Sequence, residues 1–159
     1  GSPALEAHFN RIRQEVLCLD RDEAALAAEL LEMRRRMHRE HEGDAHLDVA
    51  QSPKHQPGGL IDIEFVAQLG VLSSAHLYPR VIQATGTLAQ LQELQAIGWL
   101  SQAEYDILAE CMRRLRRSRM MSALLPGPQE QPMDTQAAAD VFIERLGGSG
   151  WAAKDEPAE

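Results

Sequence analysis

The chain has 159 residues, 44% hydrophobic but only 4% aromatic, and its 16 Lys and Arg against 24 Asp and Glu leave a formal charge of −8. That length suits one domain burying roughly two-thirds of its unfolded surface, with a core of Leu, Ala, Val, Ile and Met that favours helices. The acidic balance argues against nucleic acid or anionic membrane as general partners, and no run reaches the ~18 apolar residues of a membrane span.

Gly1 and Ser2 read as an expression scar, and no basic-then-apolar leader opens the chain. Leu5, Phe9, Ile12 and Val16 fall four, three and four apart, one stripe on a helix running to about Leu19. Asp20 and Asp22 offer N-cap oxygens for a second helix, on which Leu26, Leu30, Met33 and Met37 repeat the spacing. Its outer face ends in Arg34, Arg35, Arg36, Arg39 and His41, cations that suit a helix C-terminus. An antiparallel helix pair is expected.

From 43 to 58 no period survives, and the mixture of Gly, Pro, Ser, Gln and His reads as an irregular loop of functional length. Beyond it, Ile61, Ile63 and Phe65 alternate with Asp62 and Glu64 in a strand-like way. Followed to Tyr78, the run is too long for a strand and apolar on most sides, which predicts a buried central helix. Thr87 caps the next helix, with Leu88, Leu91 and Leu94 inward and Gly98 as its left-handed stop. Ser101 to Glu104 is a capping box opening a helix towards Leu125, with Leu108, Met112 and Leu115 inward. After a Pro/Gln linker, Asp134 or Thr135 starts a short helix with Val141, Ile143 and Leu146, and 147–159 reads as a disordered acidic tail. The expectation is a single all-α domain over 3–146, an up-and-down bundle of about six helices.

Several residues could carry chemistry. Gly58 and Gly59 could let the backbone approach a phosphate or a neighbouring domain, with Lys54 adding a charge, although spacing alone favours a plain helix-initiating turn. On a strand Asp62 and Glu64 could share Mg²⁺; on a helix they turn about 200° apart, whereas Glu64 and Gln68 share a face. Asp62 then meets the helix dipole and needs a partner, either a helix arginine or a group outside this chain. Arg113, Arg114, Arg116, Arg117 and Arg119 wrap most of a helix circumference, so some should turn towards other helices. Ion pairs with Glu64, Glu104 or Glu110, or a phosphate-facing patch, are the expected uses. Cys18 and Cys111 read as core filler in a reducing, cytoplasmic setting. The six histidines show no metal-ligand spacing, and no nucleophile has a base beside it.

Lys54-His55-Gln56-Pro57-Gly58-Gly59-Leu60-Ile61-Asp62-Ile63-Glu64-Phe65, with Gln68 following, closely resembles the K-x-x-x-G-G-x-x-D-I-E-F-x-x-Q signature of the glutamine synthetase adenylyltransferase family. That family is similar in its helical parts to the PII uridylyltransferases. The flanks around Arg11–Cys18 and Leu31–Met37 also resemble it, and the likeness covers roughly 9 to 125. Asp62-Ile63-Glu64-Phe65 resembles the motif of the second, adenylylating half, which implies a helical domain at the C-terminus of the enzyme. Gln51-Ser52-Pro53 departs from the usual Phe-Asp-Leu before the lysine.

The family's catalytic signature, a Gly-Ser turn with its closely following Asp-x-Asp, is not found here as a unit. The resemblance therefore implies a supporting domain without catalytic, cofactor or metal residues of its own. ATP and Mg²⁺ belong to the full-length enzyme, which transfers AMP to a tyrosine of glutamine synthetase. The implied partners are the upstream nucleotidyltransferase domain, glutamine synthetase and PII, with Lys54, Gly58, Gly59, Asp62, Glu64 and Gln68 facing the catalytic domain. The alternative is a stand-alone module that holds an acidic or phosphate-bearing partner through Arg113, Arg114, Arg116 and Arg117.

Overall fold

The computed structural model describes residues 2–42, 52–124 and 133–147. Among these the chain is all-α, with α1 (Pro3–Leu17), α2 (Glu23–Glu42), α3 (Leu60–Ser74), a 3-10 helix (Pro79–Gln83), α4 (Thr87–Ala96), α5 (Gln102–Leu124) and α6 (Gln136–Leu146), and no strand. The part of the expected loop up to residue 51, and the tail from 148, lie outside the described residues.

The alternation at Ile61–Phe65 resolves as helix. α3 is the central rod, packed on by α2, α4, α5, α6 and the 3-10 helix. Because its neighbours come from every side, almost every α3 position is buried, and Ile63, Val66, Ala67 and Leu69 are fully so. A helix covered on nearly every side needs no strong amphipathic period, which is why its sequence shows none.

The ends follow local chemistry. Asp22 Oδ1 accepts the Ala25 N–H at 3.0 Å, capping α2. Gly86, not Thr87, is the N-cap of α4, and Gly98 closes it at φ +80°. The capping box forms as expected: Ser101 N–H donates to Glu104 Oε2 at 2.7 Å and Glu104 N–H to Ser101 Oγ at 3.2 Å. Asp134 Oδ1 takes the Gln136 N–H at 3.0 Å, and Gly147 ends α6 at φ +71°.

Two expectations about the first helices are corrected. The stripe of α1 is not buried against α2: none of its helical residues is buried, and the helix leans on the 3-10 helix, where Arg13 Nη2 donates to the Ile82 carbonyl. Arg21 closes its C-terminus, donating to the carbonyls of Val16 at 2.7 Å and Leu17 at 3.0 Å. On α2 the inner face is Ala27, Leu30, Leu31 and Arg34, while Met33 is exposed. Arg34, expected on the outer face, is the largest fully buried side chain.

Candidate functional site: a clamped turn at the head of the central helix

The turn from Ser52 to Gly59 is built against the start of α3. Gly59 N–H donates to Gln56 O at 2.9 Å, Leu60 N–H to Pro53 O at 3.1 Å and Ile61 N–H to Lys54 O at 3.3 Å. These are donors that a helix start leaves unsatisfied. The chain's own carbonyls take them here, so they do not form a cradle for an anion.

Asp62, one turn into the helix, reaches back and fixes the turn. Its Oδ2 accepts the Gly58 N–H at 2.8 Å, and its Oδ1 accepts Arg34 Nε at 2.5 Å. Arg34 in turn donates through Nη2 to the His55 carbonyl at 2.7 Å. The arginine and the aspartate are 0% and 1% exposed. Desolvating two charges is costly unless geometry and hydrogen bonds recover it. Here both carboxylate oxygens are engaged, and the positive end of the α3 dipole lies against the acid.

The glycine at 58 exists for close approach. It lies at φ +69°, and a Cβ there would collide with the Thr135 carbonyl and come within 2.6 Å of Ala139 N. The turn therefore seats backbone-to-backbone on the start of α6. Gln56 Nε2 donates to Thr135 Oγ1 at 3.1 Å, Thr135 Oγ1 donates to the Pro57 carbonyl at 2.5 Å, and Cys111 Sγ lies 3.7 Å from Gly58 O.

The signature residues thus divide. Gly58, Gly59 and Asp62 are buried in the joint between the turn, α2 and α6; Lys54 and Gln68 are exposed and Glu64 is half-buried. Glu64 and Gln68 share one face of α3, in the window that its neighbours leave open. Asp62 and Glu64 do not fit a shared cation, because one faces the core with both oxygens occupied while the other faces outward. Sequence reading assigned none of Arg34, His55, Gln56 and Thr135 to this joint. The expectation that Asp62 pairs with a helix arginine is met by Arg34, and the signal that would have picked out that arginine was its continuing the Ala27, Leu30, Leu31 face at helical spacing.

The arginines of α5 do not turn inward as expected: Arg113, Arg114, Arg116, Arg117 and Arg119 are all exposed. Arg113 pairs with Glu110 at 3.8 Å, and the next three make no ion pair with a described residue. Glu104 instead holds Arg145 of α6, accepting Nε and Nη2 at 2.6 Å each. That guanidinium lies 4.9 Å from the Trp99 ring centroid, and Trp99 Nε1 donates to Glu23 Oε2 at 3.2 Å. Burial pushes the Glu104 carboxyl up, but hydrogen bonds from Ser101 and Arg145 outweigh it and hold the group below its ordinary value. Burial raises the Cys111 thiol. No helix among the described residues is long and apolar enough to cross a membrane.

The GlnD PII-uridylyltransferase family model matches residues 24–156, a stretch that includes the clamped turn and the helix behind it. The chain belongs to that family. Among curated proteins, this family member is 40% identical over 133 residues to the bifunctional glutamine synthetase adenylyltransferase/adenylyl-removing enzyme of Aromatoleum aromaticum, covering 79% of this chain and 13% of the relative. The enzyme of the same name from Burkholderia mallei is 33% identical over 155 residues, 92% of this chain and 16% of the relative. That from Methylococcus capsulatus is 37% identical over 128 residues, 79% and 13%. The chain spans 13–16% of the length of these relatives. The GlnD family match starts at residue 24 and leaves α1 outside it, whereas the Burkholderia likeness takes in 92% of the chain and so includes part of α1.

Proposed function

We propose that this chain is a helical domain of a cytoplasmic bifunctional enzyme that adenylylates and deadenylylates glutamine synthetase. In this reading it sits C-terminal to the second nucleotidyltransferase domain and supports that domain rather than performing the transfer. The observation that carries the reading is the likeness to adenylyltransferases over 79–92% of the chain. The clamped turn gives it physical sense. Arg34, Asp62 and Gly58 hold a platform from which Lys54 and Gln68 face solvent and Glu64 is half-exposed.

On this reading the outward trio meets the catalytic domain or the glutamine synthetase surface, and ATP and Mg²⁺ are bound by the catalytic domain. PII reports nitrogen status to the same enzyme. The test is AMP transfer from labelled ATP to glutamine synthetase by the longer polypeptide carrying Lys54→Ala, Glu64→Gln or Gln68→Ala. Slower transfer with an unchanged melting temperature supports the role; full activity in all three variants contradicts it.

A second reading has its own observation, the exposed Arg114, Arg116 and Arg117 without ion pairs to described residues. It makes the chain an interaction module for an acidic or phosphate-bearing partner. Charge reversal at Arg116 and Arg117 that leaves adenylyl transfer intact but abolishes capture of such a partner would favour it.

A further inference from the structure

The apolar stripe of α1 has the periodicity of a buried face and the exposure of a surface. Leu5, Phe9, Ile12 and Val16 are 68%, 63%, 44% and 50% exposed. Their four-three-four spacing is the seam of a helix that packs into another element. Beside it, His76 Nε2 lies 3.5 Å from Asp20 Oδ1, which brings the exposed Leu19 to the neighbourhood of the exposed Leu77 and Tyr78. An open apolar stripe of four residues along one helix is the kind of exposed face that marks an interaction site.

We propose that this face is a docking surface for another domain of the same, longer polypeptide. Two observations select that occupant. The family model covers the bundle from residue 24 and leaves α1 outside it, whereas the long adenylyltransferase of Burkholderia mallei matches 92% of the chain. That coverage reaches at least the last turn of α1, which stands apart from the bundle's own matched unit, and the chain accounts for only 16% of that enzyme, so most of the relative lies in other segments available to cover the stripe. Within the fold it is held at one end only, by Arg13 on the Ile82 carbonyl and by Leu17 and Cys18 against the core. The bundle grips the C-terminal half of the helix from one side and leaves the stripe for something else. The inference rests on the reading that the chain works inside a larger adenylyltransferase, and it names the surface that joins the two parts.

The test compares hydrogen exchange of residues 3–17 in the 159-residue chain and in the longer polypeptide that contains it. Docking is expected to slow exchange there by at least about tenfold in the longer protein. Phe9→Asp or Ile12→Asp should abolish that protection while leaving the melting temperature of the 159-residue chain unchanged. Equal exchange rates in the two proteins would overturn the proposal, as would unfolding of the shorter chain by both substitutions. A dimer of the shorter chain in sedimentation equilibrium that Phe9→Asp dissociates would assign the face to a second copy and also overturn it. Adenylyl transfer is assayed separately. A longer protein inert towards glutamine synthetase but protected at α1 would refute the enzymatic reading and leave the docking surface standing.

Discussion

Arg34 and Asp62 meet inside the bundle, Nε to Oδ1 at 2.5 Å, and join the middle of α2 to the first turn of α3. Through the other carboxylate oxygen and the other guanidinium donor, the pair also fixes Gly58 and His55. Removing one member takes from the other, buried residue the opposite charge that lies against it. Arg34→Met should cost about 3–5 kcal/mol, read as a lower urea midpoint at unchanged slope. Arg34→Met with Asp62→Leu should recover part of the loss, since no charge is then left buried. Full recovery is not expected, because Gly58 N–H and the His55 carbonyl lose their partners.

Glycines 58 and 98 separate two costs that sequence alone cannot. Both lie at positive φ, but a Cβ at Gly98 meets nothing within 4 Å. Gly98→Ala should cost only the ~1–2 kcal/mol of left-handed backbone. Gly58→Ala adds a collision with the start of α6 and should cost at least about 3 kcal/mol, the backbone strain plus overpacking. Thermal melts of the two variants side by side make the comparison.

The Glu104–Arg145 pair sets a pH dependence with a defined sign. Folding lowers the Glu104 pKa from its ordinary 4.5, so the unfolded chain binds the proton more readily. The stabilisation is complete above that ordinary value and is lost as pH falls through the folded one. The stability difference between wild type and Glu104→Gln should therefore be steady near neutrality and shrink in acid. Denaturant titrations at pH 7, 5 and 3 would show it.

Cys111 is buried in the core and its thiol is raised by that burial, whereas Cys18 is partly exposed. A thiol reagent at pH 7 should modify Cys18 first. Cys111 should react only in denaturant, which mass spectrometry after timed labelling would resolve.

The helices were legible in the sequence where local signals act alone. The capping box at Ser101, the Asp22 cap and the stop at Gly98 depend on a few neighbouring residues, and each forms as its chemistry dictates. The α5 stripe of Leu108, Met112 and Leu115 was equally readable, since a helix with one covered face keeps its period. Arg34 was not, because charge counting places an arginine outside until its partner, 28 residues away, is known. The α1 stripe misled for the opposite reason. Period reports that a face is to be covered, not which element covers it. The motif 54–68 could be located from sequence, but its division into inward and outward residues depends on α2 and α6 arriving from either side.

The lock between Gln56, Pro57 and Thr135 bridges nearly 80 residues of chain. During synthesis at ~5–20 residues per second, α3 leaves the ribosome several seconds before the segment that closes over its head. For that interval a rod apolar on nearly every side has α2 and the Arg34–Asp62 clamp but lacks the cover that α6 provides. The nascent chain is then a natural client for holding chaperones, and truncation before Met133 should yield an insoluble product rather than a smaller bundle.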